Sequence, residues 1–240
     1  MVDREVLLKP DAKRAFVRRM FDGIATTYDL LNHVLSLGID ILWRKQTINL
    51  LRPESHWRIL DLATGTGDLG FESSGRFAGL RVIGVDPSRP MLRCGVAKNG
   101  SRTNALKFLC GDGERLPFPD ATFDGITIGF GIRNVAQLDL AVCEMFRVLK
   151  PGGRAAILEF SRPRNQLFRQ VYNFYFQHIL PQIGRMISRD PSAYHYLYES
   201  VMHFPEGEEF CRRLSVAGFS RVAESRLSFG IATVYLAHRE

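Results

Sequence analysis

Residues 59–70 read ILDLATGTGDLG, an apolar run closed by Gly65, Gly67 and Gly70 at the spacing G-x-G-x-x-G. That spacing marks a strand turning through glycine into a helix whose N-terminus receives a pyrophosphate. Two carboxylates complicate the reading. Asp61 stands just before the turn and Asp68 lies inside it, where phosphates would sit.

Outward from the loop the rhythm repeats. Short apolar strands are predicted at 58–63 (RILDLA), 81–86 (RVIGVD), 107–112 (KFLCGD), 123–132 (FDGITIGFGI) and 154–160 (RAAILEF). The fourth is almost wholly apolar and is expected to be buried on both faces. Helices are predicted over 68–78, after Ser88 as N-cap with Pro90 in the first turn, and over 137–150, stopped by the PGG that follows. This alternation specifies an α/β, Rossmann-like doubly wound parallel sheet with its ligand at the carboxyl ends of the strands. After Ser161 it breaks: 167–187 is dense in aromatic and aliphatic groups, and 219–226 with 230–238 reads as an antiparallel C-terminal strand pair. The chain is expected to divide into an N-terminal helical segment (1–56), a Rossmann-like core (57–162), a helical insertion (163–210) and C-terminal strands completing the sheet (211–240).

At 240 residues, 45% hydrophobic and 24% charged, the composition is that of a soluble globular chain able to bury a core without staples. Cys94, Cys110, Cys143 and Cys211 are scattered, which suits free thiols in a reducing cytoplasm. The six histidines show no ligand spacing, so no metal is expected. No stretch reaches about 18 consecutive apolar residues, and the N-terminus lacks the apolar region of a signal peptide. The net charge of +7 suits an anionic surface, nucleic acid or phospholipid, or serves solubility alone. Residues 12–22 (AKRAFVRRMFD) put Phe16, Val17, Met20 and Phe21 on one stripe, with Lys13, Arg14, Arg18 and Arg19 over much of the rest. This is either a basic amphipathic helix for a membrane surface or a helix packed on the main domain.

A pyrophosphate in the glycine loop would face Asp68 with Asp61 near by, and like charges roughly 4 Å apart cost several kcal/mol at intermediate dielectric. A cationic ligand gains from both. S-adenosylmethionine carries an ammonium, a sulfonium, a ribose and an adenine, and no phosphate. Gly65 and Gly67 let its amino-acid end approach the backbone, and the helix N-terminus accepts its carboxylate. Asp86 ends the second strand 19 residues beyond Gly67, where a carboxylate takes the ribose hydroxyls. Asp112 ends the third, where it or the Gly113 backbone meets the adenine edge. Carboxylates merely capping helices would account for one of these four, not for all.

These residues, with GERLPFPDATFDGITIGFGIRNV and RVLKPGGRAAILEFSRP, resemble the class I methyltransferases. More narrowly, the chain is similar to the ubiquinone/menaquinone biosynthesis C-methyltransferase family over nearly its whole length. The LPFPD…FD…RVLKPGG pattern is generic. FGIRNV, 21–45 (FDGIATTYDLLNHVLSLGIDILWRK) and 194–205 (YHYLYESVMHFP) are far more specific. The resemblance implies cofactor contacts at Thr66, Asp86, and Asp112 with Gly113. Gly129 stands where many relatives carry a serine, leaving only backbone contact there.

The resemblance further implies methylation of a ring carbon of a polyprenylated quinol, demethylmenaquinol or its methoxy-benzoquinol counterpart. A phenolic hydroxyl with pKa near 10 is ionised about once per thousand molecules at pH 7, a cost of about 4 kcal/mol. The enzyme must therefore stabilise a phenolate while the adjacent carbon attacks in line. Arg133 and Asn134, just beyond the fourth strand, are the candidates to hold that oxygen; a surface salt bridge is the alternative for Arg133. His195 is the candidate base, with a structural place in its tyrosine cluster as the alternative. The aromatic run 167–187 is either core or the wall of a channel for the isoprenoid tail. The enzyme is expected in the cytoplasm, peripherally on the inner face of the cell membrane.

Two other readings compete. The basic charge favours an RNA methyltransferase, but no RNA-binding module and no N/D-P-P-Y/F tetrapeptide follows the fourth strand, so no nucleic-acid partner is expected. A membrane-surface binding module with a vestigial cofactor loop conflicts with the intact acidic residues at the strand ends. The choice of quinone pathway, the tail length and the assembly state, a homodimer included, stay open.

Overall fold

Five apolar runs form parallel strands because their side chains alternate between two covered faces. The computed structural model describes residues 9–100, 106–174, 182 and 192–240. Three helices come first, α1 (Pro10–Ile24), α2 (Tyr28–Leu35) and α3 (Ile39–Leu51). Then β1 (Arg58–Leu62), α4 (Asp68–Arg76), β2 (Arg81–Asp86), α5 (Arg89–Asn99), β3 (Leu106–Cys110), β4 (Phe123–Gly129), α6 (Leu138–Val148) and β5 (Leu149–Phe160) follow. Helices α7 (Gln166–Phe174), α8 (Ser192–His203) and α9 (Glu208–Val216) lead into β6 (Ser220–Leu227) and β7 (Ala232–His238). The sheet order is β3-β2-β1-β4-β5-β7-β6, with β7 antiparallel to both β5 and β6.

Leu60 and Leu62 of β1, with Ile126 and Ile128 of β4, pack against Val142 and Met145 of α6 and Phe210 of α9. On the opposite face, Ile59, Val82 and Leu158 pack against Trp43 and Leu51 of α3. Both faces are therefore apolar, as a strand covered by helices on each side requires.

The structure departs furthest from the sequence reading at two boundaries, and the third strand also ends early, at Cys110, leaving Asp112 in the loop beyond it. The fourth strand stops at Gly129 rather than running to 132. Phe130 takes φ +57° and a 3₁₀ turn, Ile132–Asn134, bends the chain across the carboxyl edge of the sheet. The sixth helix ends at Val148, before the PGG, because Leu149 enters the sheet beside Phe123. The PGG is then absorbed as a register shift between the Phe123–Leu149 and Gly125–Arg154 pairings. The predicted cap holds: Ser88 Oγ accepts from Met91 N at 3.3 Å. Of the aromatic run, 175–181 and 183–187 lie outside the described residues, while Tyr172 is buried against Ile24 and Leu31.

Tyr235, fully buried in β7, fixes the start of α9 by accepting from Gly207 N at 2.8 Å. Tyr235→Phe keeps the ring packing and orphans that N–H, so it should destabilise the fold by about 1–3 kcal/mol, read as a lower midpoint in urea.

Candidate active site

The glycine loop is supported from beneath. Asp61 is 1% exposed, and its oxygens accept from Thr64 Oγ1 at 2.5 Å and Thr127 Oγ1 at 2.7 Å. Burial raises its pKa to about 6, against the lowering effect of both threonines and the Gly70 backbone. Its oxygens face the scaffold, and Asp61 is not among the residues that line the cavity above the loop. Thr66 is also turned inward: its hydroxyl donates to Asp29 at 2.6 Å and accepts from Lys98 at 2.9 Å. Gly67 serves the turn, with φ +88° and Phe108 so close that an added Cβ would sit 2.8 Å from its ring.

Asp68 is not a free anion either. Lys98 lies 2.7 Å from its Oδ1 and Arg44 Nη2 3.3 Å from its Oδ2. Lys98 also reaches Asp29 at 2.5 Å, and Arg44 reaches Asp40 at 2.6 Å. This chain of alternating charges ties α2 and α3 to the loop. It also removes the repulsion that the sequence reading used to exclude phosphate.

A cavity of about 500 Å³ opens above the loop, lined by Gly65, Asp86, Ser88, Asp112, Gly113, Gly129 and Asn134 among others. Its volume lies within the range of pockets that hold small molecules, about 300–1,000 Å³. Asp86 at the end of β2 accepts from Gly65 N at 2.9 Å and from Ser88 N at 2.8 Å. Burial raises its pKa to about 6, opposed by those backbone hydrogen bonds. Asn134 Nδ2 donates to the Phe130 carbonyl at 3.2 Å, whereas its buried Oδ1 has no partner among the described residues. A carboxylate at a strand end and an orphaned acceptor opposite fit a ligand bearing hydroxyls and an ammonium. Asn134 lines this cavity and not the second, apolar one.

The second cavity, about 290 Å³, is walled by apolar side chains of α1, α2, α3, α7 and α8. Phe21, Tyr28 and Phe130 line both cavities, so the two meet there. Sequence reasoning missed this junction, because the rings come from α1, the start of α2 and the turn after β4. Arg133 lines the apolar cavity, but its charge is already met: Nη1 lies 2.6 Å from Glu159 Oε1, and both side chains are almost wholly buried. The pair is internal, where the alternative placed it at the surface. Tyr196 also lines this cavity; its buried hydroxyl lacks a partner among the described residues, and burial raises its pKa to about 12. His195 precedes it on α8, with its side chain outside the described part.

Helix α1 closes the roof. Val17, Met20 and Ile24 are buried, Phe16 packs on Tyr196 at 5.4 Å, and Met20 lines the apolar cavity. Arg14 pairs with Glu114, Lys13 Nζ donates to Val135 O at 2.7 Å, and Ser88 Oγ donates to Asp22 at 2.6 Å. Of the two readings of the apolar stripe, the structure shows the packed one: the stripe is turned inward, where Tyr196 and the cavity walls cover it.

A parallel sheet in the order 3-2-1-4-5, extended by an antiparallel seventh strand beside the fifth, with a ligand cavity over the first three carboxyl ends, is the fold of the class I S-adenosylmethionine-dependent methyltransferases. A SAM-dependent methyltransferase from Thermotoga maritima matches it with a TM-score of 0.66, covering 93% of this chain and 100% of that one at 21% identity. The chain belongs to the ubiE/COQ5 methyltransferase family, whose model matches residues 9–239. It is 45% identical to the demethylmenaquinone methyltransferase of Thermus thermophilus, over 92% of this chain and 100% of the relative. It is 44% identical to the ubiquinone/menaquinone biosynthesis C-methyltransferase of Geobacter sulfurreducens, over 93% and 88%.

The Arg133–Glu159 pair sets a stability test. Glu159→Leu alone strands a buried guanidinium and should cost about 3–5 kcal/mol, whereas Arg133→Met with Glu159→Leu should recover most of that loss. A thermodynamic cycle by denaturant unfolding measures it.

Proposed function

We propose that this chain methylates a ring carbon of a polyprenylated quinol, demethylmenaquinol to menaquinol, with S-adenosylmethionine in the larger cavity. The observation that supports this reading is the junction at Phe21, Tyr28 and Phe130 between a polar cavity over the strand ends and an apolar one under α1. The names of the relatives supply the substrate class. Asp86 holds the ribose hydroxyls, the Asp112–Gly113 turn faces the adenine, and Asn134 Oδ1 receives the ammonium. When bound, S-adenosylmethionine supplies an electrophilic methyl on its sulfonium.

The quinol ring enters through the apolar cavity. Arg133 and Tyr196 donate N–H and O–H to the quinol oxygen, which favours its ionised form. With Glu159 compensating its charge, Arg133 contributes directed dipoles more than a net positive charge, and Tyr196 stays a neutral donor. The carbon next to that oxygen gains electron density and would bond to the methyl as the methyl–sulfur bond breaks with its electron pair left on the sulfur. The ring hydrogen then passes as a proton to the quinol oxygen, restoring the aromatic ring, and the proton lost on ionisation goes to solvent. Apolar walls keep water from competing. The enzyme works as a peripheral membrane protein, since its substrate is a lipid and no described helix is long and apolar enough to cross a bilayer.

The test follows labelled methyl transfer with the quinone kept reduced or oxidised. Only the quinol should be methylated, and Tyr196→Phe should lower turnover about a hundredfold with cofactor affinity intact. Equal methylation of the oxidised quinone would overturn the mechanism. Asp86 adds a pH dependence. Its raised pKa means the folded state favours the protonated acid, a stability contribution complete below about pH 4 and lost as the pH rises through 6. Ribose needs the carboxylate, so cofactor affinity measured by calorimetry should fall roughly tenfold from pH 7 to pH 5. Asp86→Asn should bind weakly with a flattened profile.

A further inference from the structure

Among the described residues eleven large apolar side chains are exposed, and five of them fall within residues 30–42: Leu30, Leu37, Ile39, Ile41 and Leu42. They occupy α2, the turn after it and the start of α3. Leu37 is 80% exposed and sits at φ +53° beside Gly38 at φ +76°. A leucine in the left-handed region is uncommon, and here it carries an apolar side chain out into solvent. A cluster of this kind on a monomer marks a contact surface.

Its position says what the contact is. Leu37 and Ile39 also line the apolar cavity, so the exposed cluster is continuous with the cavity's lip. That cavity, of about 290 Å³, is of a size to take a quinol ring with part of its prenyl tail. The rest of the tail must leave across the lip, and water is an unfavourable medium for it. Asp40 inside the segment is held by Arg44 at 2.6 Å, and His33 Nδ1 lies 2.9 Å from it. Lys45, exposed three residues past Leu42, supplies a cation at the rim.

We propose that the α2–α3 turn is the membrane-docking element, inserting Leu30, Leu37, Ile41 and Leu42 into the acyl edge of a phospholipid bilayer. The quinol ring then enters the cavity while its tail stays in lipid. This rests on the polyprenylated-quinol reading above, and it assigns docking to an apolar turn instead of the basic helix α1.

Flotation with phosphatidylcholine/phosphatidylglycerol vesicles, without substrate, tests the docking alone. Wild type should float and stay bound at high salt. Leu30→Asp with Leu42→Asp should bind roughly tenfold or more weakly. The same double variant should lose turnover on a long-tailed quinol in those vesicles and keep the wild-type rate on a tail-free, water-soluble quinol. Melting by circular dichroism checks its folding, and Leu42→Ser alone replaces it if the double variant does not fold. Wild type that does not float, or substituted protein that floats as wild type does, overturns the proposal. So does loss of flotation by Arg18→Glu with Arg19→Glu while the leucine variant still binds. Wild type that floats but leaves the tail-free quinol unmethylated would instead count against the substrate reading, with the docking surface upheld.

Discussion

Two buried carboxylates hold the glycine loop, and the geometry of both cavities follows from that hold. Asp61 grips it from below through Thr64 and Thr127, joining β1 to β4. Asp86 grips it from the side through Gly65 N, joining it to the end of β2. Burial opposes both ionised forms, and directed hydrogen bonds offset that penalty in part. Asp61 faces the scaffold, away from the cavity lining. The other lines the cavity and keeps capacity for a ligand.

The same economy of charge runs through the molecule. Many of the basic residues around the site are engaged within the fold: Lys98 and Arg44 on Asp68, Arg14 on Glu114, Arg133 on Glu159. The net charge of +7 therefore says little about a partner. Because Asp29, Asp40 and Asp68 share those cations, α2 and α3 are tied to the loop by a charge network. The helices that wall the apolar cavity and the loop beneath the polar one thus form one coupled unit.

The proposed mechanism relies on directed dipoles in an apolar cavity more than on net charge. A buried guanidinium facing a buried carboxylate is locally neutral, yet its N–H groups remain fixed in direction. The Tyr196 hydroxyl and the Asn134 carbonyl, both without partners among the described residues, stand in separate cavities, which the proposal assigns to a phenolic oxygen and an ammonium.

The alternation of strands and helices, the glycine turn, the acidic residue that ends β2 and the one just past β3 are legible in the sequence. Those signals are local, carried by apolar periodicity, by glycine where φ is positive and by a serine that caps the next few residues. It also carried the family resemblance, through FGIRNV and the 21–45 segment. Tertiary structure alone decided where the charges went. Arg14 and Glu114 are 100 residues apart, Lys98 and Asp68 30, Arg133 and Glu159 26. No local pattern encodes such partners, because a side chain's charge has no meaning for function until the fold fixes what faces it. The same holds for α1, whose apolar stripe fits a membrane or a cavity roof equally well. Only the packing of Phe16 on Tyr196 and of Met20 over the apolar cavity turns it inward, leaving the α2–α3 turn as the exposed apolar surface.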